Sequence, residues 1–180
     1  MLGHYIWTLA ALLATSAAFK LEPLISAGAP AISNLTTAPF VKIANGYYYF
    51  DLGEKKNWFE AYQACRRMDA ELLTFETLEE WQTISEYVFE QNIKRLYWTS
   101  GTDQGREGVY TWFSNGQALI GGMWGNAQPD NAGNTENCIE YGWIMGKSGI
   151  GLNDRPCGNN YQTNFICEAA KPKTASFVIW

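Results

Sequence analysis

Histidine is almost absent from this chain of 180 residues, in which His4 is the only one. Because His4 lies in a segment that we interpret below as a cleaved leader, the mature protein would carry no imidazole. Without imidazole, Ser-His-Asp catalysis, Cys-His catalysis and histidine-ligated metal sites are excluded. The sequence therefore favours a protein that is not an enzyme.

Charge is also scarce, since charged residues make up 17% of the chain and the formal net charge is −5. The Lys and Arg residues form no cluster along the sequence, whereas a nucleic-acid-binding surface requires a basic stripe. We therefore expect no nucleic-acid partner. Aromatic residues account for 15% of the chain and hydrophobic residues for 47%, which is typical of one packed globular domain with a sizeable core.

Long apolar runs are missing except for the run from Tyr5 to Ala14. Its length suits a signal peptide, but it is too short for a bilayer span, which needs roughly 20 residues. Small residues follow it, and cleavage after Ala17 or Ala18 fits the small-x-small rule, although the leader lacks Lys and Arg. We interpret residues 1–18 as a signal peptide and predict a secreted, extracellular protein with no membrane span.

Four cysteines form an even set without a C-x-x-C pair: Cys65, Cys138, Cys157 and Cys167. In a secreted chain this set indicates two disulfides, for which three connectivities are open. The scattered spacing argues against a zinc site. An N-glycosylation sequon begins at Asn34, which predicts a glycoprotein.

The remaining patterns predict a flexible lead-in over residues 19–43, rich in Pro and small residues, followed by one domain. Asn57 and Thr77 are each followed three residues later by glutamate, a signal for a helix start. Predicted strands cover residues 46–52, 96–98 and 109–113. Because helices and strands do not alternate as βαβ units, the predicted class is α+β. We interpret residues 118–155 as a long loop with little regular structure, a length that usually reflects function or a bound ion.

Five oxygen-bearing side chains lie in this loop: Gln128, Asp130, Glu136, Asn153 and Asp154. Three are carboxylates and two are amides, and a hard cation such as Ca²⁺ prefers such ligands. A polar loop that satisfies itself through turns and caps is the alternative. Three carboxylates crowded together would repel one another without a cation, so the pattern favours a calcium site.

From residue 44 to residue 169 the chain resembles the C-type lectin domain family, in the short, secreted, single-domain form of insect galactose-type C-type lectins. The resemblance rests on the helix leading into Cys65, the triplet Gln128-Pro129-Asp130, Glu136 before Cys138, Asn153-Asp154 before Cys157, and Cys167 near the end. It implies the C-type lectin fold, with two helices, small antiparallel sheets and a long calcium-binding loop region. It also implies the disulfides Cys65–Cys167 and Cys138–Cys157, and it leaves residues 170–180 as a C-terminal tail.

The resemblance further implies that the same five residues bind Ca²⁺ and sugar together, with Pro129 in the cis form. In the family, Gln-Pro-Asp is typical of galactose-type preference. Selective galactose binders also place a Trp after the triplet, where this chain has Asn131; Tyr141 and Trp143 are either substitutes for it or core residues. Leu152 stands where the family usually has Trp. We predict a calcium-dependent lectin with a relaxed preference for galactose-type or related glycans, acting in cell-surface or microbial recognition as in innate immunity.

An auxiliary calcium site is implied by Asp103 and Glu107, which together with Glu136 match family ligands. Asn131 and Asn137 stand where stronger versions carry Asp. Fewer carboxylates weaken calcium binding. The alternative function is a C-type-lectin-like domain that binds a protein ligand without sugar. No heptad or Gly-X-Y repeat indicates an oligomerising stalk, so the oligomeric state stays open.

Overall fold

The computed structural model describes residues 38–144 and 149–170. The predicted signal peptide, most of the lead-in, the sequon at Asn34 and the tail beyond residue 170 lie outside these residues. In chain order the elements are β1 (Val41–Ile43), β2 (Gly46–Phe50), α1 (Trp58–Arg66), β3 (Ala70–Leu72), α2 (Leu78–Glu90), β4 (Leu96–Thr102), β5 (Thr111–Trp112), a 3-10 helix (Ala132–Asn134), β6 (Cys138–Trp143), β7 (Ile150–Arg155) and β8 (Asn164–Ala169). Within these two ranges, no helix has the length and apolar character needed to cross a membrane.

The strands form one connected sheet in the order β1-β2-β8-β4-β6-β7, with β3 paired to β8 and β5 paired to β4. All pairs are antiparallel except β4 with β8. The α+β class with two helices is confirmed. The expected small sheets are joined into one, because the last strand, β8, lies between the N-terminal hairpin β1-β2 and the strands β4, β6 and β7.

Helix α1 begins where the capping signal predicted. The Asn57 side chain accepts a hydrogen bond from the Glu60 backbone, and the Glu60 side chain accepts one from the Asn57 backbone, so the capping box is complete. Trp58, Ala61 and Cys65 recur at helical spacing and are buried. This face anchors α1 on the sheet, because the indole N–H of Trp58 donates to a carbonyl of β4 at 2.8 Å.

Helix α2 begins after Thr77, whose side chain accepts a hydrogen bond from the Glu80 backbone. Its buried residues Ile84 and Val88 are four positions apart and therefore lie on one face. They join the larger of two hydrophobic clusters, which also contains Tyr141 and Leu152 of the central strands. The predicted position of the second helix is thus confirmed.

Both disulfides form as the resemblance implied, Cys65 with Cys167 and Cys138 with Cys157. All four cysteines are buried in the second hydrophobic cluster, around Trp98. The first bridge ties α1 to β8, and the second joins β6 to the residues just after β7.

The predicted long loop over residues 118–155 is wrong in its second half, where β6 and β7 pair residue for residue. The error has a physical cause. Both strands are buried on both faces, so neither shows the alternation of polar and apolar residues that marks a half-exposed strand. Other expectations differ less: the last residues of the lead-in form β1, and the strand predicted over residues 109–113 shortens to β5.

Candidate functional site

Two of the predicted ligand residues, Asn153 and Asp154, are adjacent in β7 and almost fully buried, with 1% and 0% exposure. Antiparallel pairing of β7 with β6 places Asn153 opposite Glu140 and Asp154 opposite Ile139. A strand, and not a loop, therefore positions these two side chains.

The triplet Gln128-Pro129-Asp130 docks onto this strand. The Gln128-Pro129 bond is cis, as the resemblance implied. The backbone N–H of Asp130 donates to one carboxylate oxygen of Asp154 at 3.1 Å, and the N–H of Asn131 donates to the other at 2.7 Å. The buried carboxylate of Asp154 thus holds the triplet against β7.

Three carboxylates converge at this junction. Oxygen atoms of Asp130, Glu136 and Asp154 lie within 4.8 Å of one another. Burial raises the pKa of Glu136 above its usual range, and the charge of Asp154 acts in the same direction, while the Ala132 N–H and Arg155 oppose the shift. Burial therefore disfavours the ionised form of Glu136, and a cation bound among the three carboxylates would stabilise that form.

The two predicted amide ligands supply the observation that tests a fit to Ca²⁺. Oε1 of Gln128 and Oδ1 of Asn153 are buried, and neither accepts a hydrogen bond from the part of the chain that the structure describes. A buried acceptor without a partner costs about 1–3 kcal/mol. Two such oxygens beside three carboxylates form an all-oxygen donor set, which fits the 6–8 oxygen ligands that Ca²⁺ takes.

Sequence reasoning missed the residue that orients Asn153. Glu140 in β6 is fully buried, and its Oε1 accepts hydrogen bonds from Nδ2 of Asn153 at 2.9 Å and from Nε of Arg155 at 3.0 Å. Its Oε2 accepts the hydroxyl proton of Tyr161. Because Glu140 engages the amide nitrogen of Asn153, the amide oxygen is left for a ligand role. Only the register of β6 with β7 reveals this pairing, and no sequence motif marks it.

Arg155 links this support to the carboxylate cluster. Its guanidinium donates to Glu136 at 3.3 Å and lies over the ring of Tyr161, 5.3 Å from the centroid. Burial lowers the pKa of Arg155, but Glu140, Tyr161 and Glu136 together raise it above its ordinary value, so the guanidinium stays charged. Tyr110, also missed, donates its hydroxyl to Asp154 at 3.3 Å. Burial and the charge of Asp154 raise the pKa of Tyr110, which keeps the phenol protonated as a donor.

The four residues of the predicted auxiliary site also come together. Nδ2 of Asn137 donates to Asp103 at 3.0 Å and to Glu107 at 3.3 Å, and Nδ2 of Asn131 donates to Glu107. Asp103 is buried, and its second carboxylate oxygen accepts the Gly108 N–H. Neutral amide donors therefore bridge these two carboxylates.

Neither aromatic residue proposed to stack on a sugar is available at the site. Tyr141 is fully buried against Phe75, with its hydroxyl 3.0 Å from that of Ser85. Trp143 stacks on Phe89. Both therefore serve packing. Leu152 is fully buried, so it fills a core position as the resemblance implied.

Comparisons with known proteins agree with this arrangement. The family model for the Lectin C-type domain matches residues 54–169. C-type lectin 37Da of Drosophila melanogaster is 46% identical over 153 residues, covering 82% of this chain and 81% of that protein. The carbohydrate-recognition domain of the mouse scavenger receptor C-type lectin superposes with a TM-score of 0.60 and 26% identity, covering 76% of this chain and 97% of that one. The corresponding domain of cow CD23, determined in the presence of a GlcNAc2Man3 oligosaccharide, gives a TM-score of 0.60 and 25% identity, covering 79% and 99%.

Proposed function

This chain belongs to the C-type lectin domain family, and on that premise we propose that it is a secreted lectin that binds carbohydrate through Ca²⁺. The observation that carries the proposal is the donor set described above. Three carboxylates converge within 4.8 Å, and two buried amide oxygens beside them lack partners in the described residues. C-type lectin domains generally bind Ca²⁺ and glycans, and the presence of all five donors supports the same function here.

In this proposal the side chains select the sugar. Gln128, Asp130, Glu136, Asn153 and Asp154 would hold Ca²⁺, which supplies coordination positions for two neighbouring sugar hydroxyls. Each hydroxyl keeps a proton and a lone pair for the same side chains, of which the carboxylates only accept and the amides also donate. The order of amide and acid therefore selects the hydroxyl geometry, and the order Gln-Pro-Asp supports galactose-type sugars.

We expect this preference to be relaxed. Residues Asn131, Ala132 and Gly133 follow the triplet and form a small, largely exposed turn. An aromatic ring at this place would add stacking on the apolar face of galactose, but Tyr141 is in the core and Trp143 stacks on Phe89 at the end of β6. Discrimination between galactose-type and other sugars would then depend only on the hydrogen bonds around the ion.

Affinity chromatography tests the proposed function. The oxidatively folded domain should be retained on galactose resin in calcium and released by EGTA, with weaker retention on mannose resin. A blank result on both resins together with a calcium-dependent rise in melting temperature would contradict galactose-type binding and favour a protein ligand. A blank result without any calcium response would contradict the whole proposal.

Calcium affinity should fall in acid. Burial raises the pKa of Glu136 in the ion-free domain, so this carboxylate takes up a proton at a higher pH than an ordinary glutamate. Calcium binding needs the ionised form, and affinity is therefore full above this pKa and lost as the pH falls through it. Titration at about pH 7 and about pH 4.5 should give clearly weaker binding in acid, and equal affinities would contradict the assignment of Glu136.

The raised pKa of Glu136 also determines how the stability of the ion-free domain changes with pH. Without calcium, Glu136 contributes stability below its unfolded-state pKa and loses that contribution as the pH rises through its folded-state pKa. Bound calcium relieves this loss at neutral pH. The rise in melting temperature on adding calcium should therefore be larger at neutral pH than in acid.

We propose that the auxiliary cluster of Asp103, Glu107, Asn131 and Asn137 binds a second Ca²⁺ weakly. Two carboxylates and two amides offer less charge than the first set, and calcium affinity follows ligand charge. Replacing Asn137 with Asp should strengthen this second site at least about tenfold, because it adds a carboxylate that repels Asp103 and Glu107 until a cation binds. Calorimetric stoichiometry measures the effect, and unchanged weak binding in Asn137→Asp would contradict the assignment.

The setting of the protein is also a proposal. The apolar run at residues 5–14 supports cleavage after residue 17 or 18 and secretion, and the sequon supports glycosylation at Asn34. The two disulfides are consistent with an oxidising, extracellular compartment. Recognition of glycans on cells or microbes fits a family of non-enzymatic lectins, and we propose binding without catalysis.

A further inference from the structure

A second concave site lies at the end of the sheet where β4 and β8 begin and β6 ends. Its volume is about 280 Å³, and its cationic lining residues are Lys55, Lys94 and Arg95. None of the five donor residues of the candidate calcium site lines this cavity. The two sites are linked through Tyr161, which lines the cavity and donates its hydroxyl to Glu140, the residue that orients Asn153. The basic cavity therefore shares no donor residue with the lectin site.

The positive charge of the basic cavity is not neutralised locally. In the part of the chain that the structure describes, no Asp or Glu lines it. Across residues 38–144 and 149–170, none of its three cations forms an ion pair with a carboxylate. The nearest acid in the hydrogen-bond network, Asp51, is reached only through the amide of Asn164. Three unpaired cations in one concavity are notable in a chain whose net charge is −5, and a concave arrangement focuses the field on an anion.

Buried polar groups form the floor of the cavity and hold its arginine. Asn164 and Thr163 are 3% and 5% exposed. Oδ1 of Asn164 accepts a hydrogen bond from Nη1 of Arg95 at 3.2 Å, which orients the guanidinium with a neutral partner and leaves its charge uncancelled. The backbone of Arg95 is held as well, because its carbonyl accepts the backbone N–H of Trp143 at 3.4 Å. This carbonyl lies so close to Gly142 that only glycine fits there.

Aromatic rings complete the wall. Trp143 and Tyr161 both line the cavity. The indole N–H of Trp143 is shielded from solvent, so a ligand would contact the partly exposed surfaces of the two rings and not this donor. Apolar ring surface beside cations is suited to a pyranose ring that carries a negative charge. A simple inorganic anion would use the cations alone.

From these features we infer that the basic cavity binds an acidic sugar residue, a pyranose that carries a carboxylate or sulfate group, without calcium. The anionic group pairs with Lys55, Lys94 and Arg95, and the ring lies against the aromatic wall. The volume is slightly below the usual 300–1,000 Å³ of small-molecule pockets, which suits one sugar unit. This inference does not rest on the proposed calcium-dependent function.

Binding of a labelled heparin tetrasaccharide, followed by fluorescence anisotropy in EGTA, tests the inference. The wild-type domain should bind, and the double variant Lys55→Gln/Lys94→Gln should bind about tenfold more weakly, since each lost charge pair near the surface contributes at most about a few-fold. The matched control, Lys42→Gln/Arg67→Gln, removes the same charge from exposed positions outside the cavity and should bind like the wild type. An oligogalacturonate of equal length distinguishes carboxylate from sulfate as the preferred group.

Three results would overturn the inference. If neither acidic oligosaccharide binds, the cavity is not a site for acidic sugars. Equal weakening in the two double variants would show binding by general charge, and undiminished binding of neutral maltotetraose would show that the anion is not recognised. Failure of galactose retention in calcium would leave this experiment unaffected, so the two proposals fail separately.

Discussion

Asp130→Asn is expected to abolish calcium-dependent retention on galactose while the domain stays folded. The Asp130 side chain is exposed, and its backbone N–H, which anchors the triplet to Asp154, is unchanged by the substitution. The change removes one of three carboxylates from the donor set, and calcium affinity depends on ligand charge. We expect at least a tenfold weaker calcium affinity, about 1.4 kcal/mol, measured by calorimetry and by resin retention.

A matched substitution separates loss of a ligand from loss of charge. Asp69 is exposed and lies in a turn with a φ of 54°, a conformation that Asn tolerates well. Asp69→Asn should therefore bind calcium and galactose like the wild type. EGTA-sensitive retention of Asp130→Asn at the wild-type level would contradict the assigned site.

Asn153→Ala should also abolish sugar binding, but at a cost in stability. Its amide nitrogen donates to the buried carboxylate of Glu140, and removing that donor leaves a charged group less well satisfied. A lost buried partner costs about 1–3 kcal/mol. Comparing Asp130→Asn with Asn153→Ala therefore separates an exposed ligand from a ligand that is also part of the core.

Removing the outer disulfide is expected to cost more stability than any other change considered. Cys65 and Cys167 are separated by 102 residues, and Cys138 and Cys157 by 19. On the chain-entropy model the outer bridge contributes about 4–5 kcal/mol and the inner bridge about 3 kcal/mol. Urea unfolding of the two double Cys→Ala variants in EGTA should rank them in this order, and the reverse order would contradict the entropic account.

The inner bridge should instead have the larger effect on calcium. It joins the start of β6 to the residues after β7, the two strands that carry Glu140, Asn153 and Asp154. A domain stability of about 5–15 kcal/mol is typical, so the inner double variant should remain folded. Weaker calcium affinity in the Cys138/Cys157 double variant than in the Cys65/Cys167 double variant would agree with a calcium site positioned by β6 and β7.

Local signals account for what could be predicted. The two helix starts followed from Asn57 and Thr77, because capping depends on residues three positions apart. The five donor residues could be named because they cluster within 27 positions of the sequence, and their chemistry alone points to a hard cation. The resemblance supplied the disulfide pairing, which cysteine spacing alone leaves open.

The pairing of β6 with β7 could not be predicted in the same way. Glu140, Asn153 and Asp154 look like loop residues, since buried strands rarely carry three such side chains. Glu140 and Asn153 can be buried because they pair across the sheet, and Glu140 also accepts from Arg155 and Tyr161. Asp154 can be buried because it accepts the backbone N–H groups of Asp130 and Asn131. That mutual satisfaction depends on strand register, which has no local signature.

The fold class, the helix starts and the chemistry of the donor set are thus readable from the chain, because each depends on residue type and short spacing. Three features emerge only from the folded sheet: Glu140 orients Asn153, Tyr141 belongs to the core, and Lys55, Lys94 and Arg95 share one cavity. These last three cations come from segments about 40 residues apart. The linear sequence therefore shows no charge cluster, and the cluster forms only when the sheet brings the ends of its strands together.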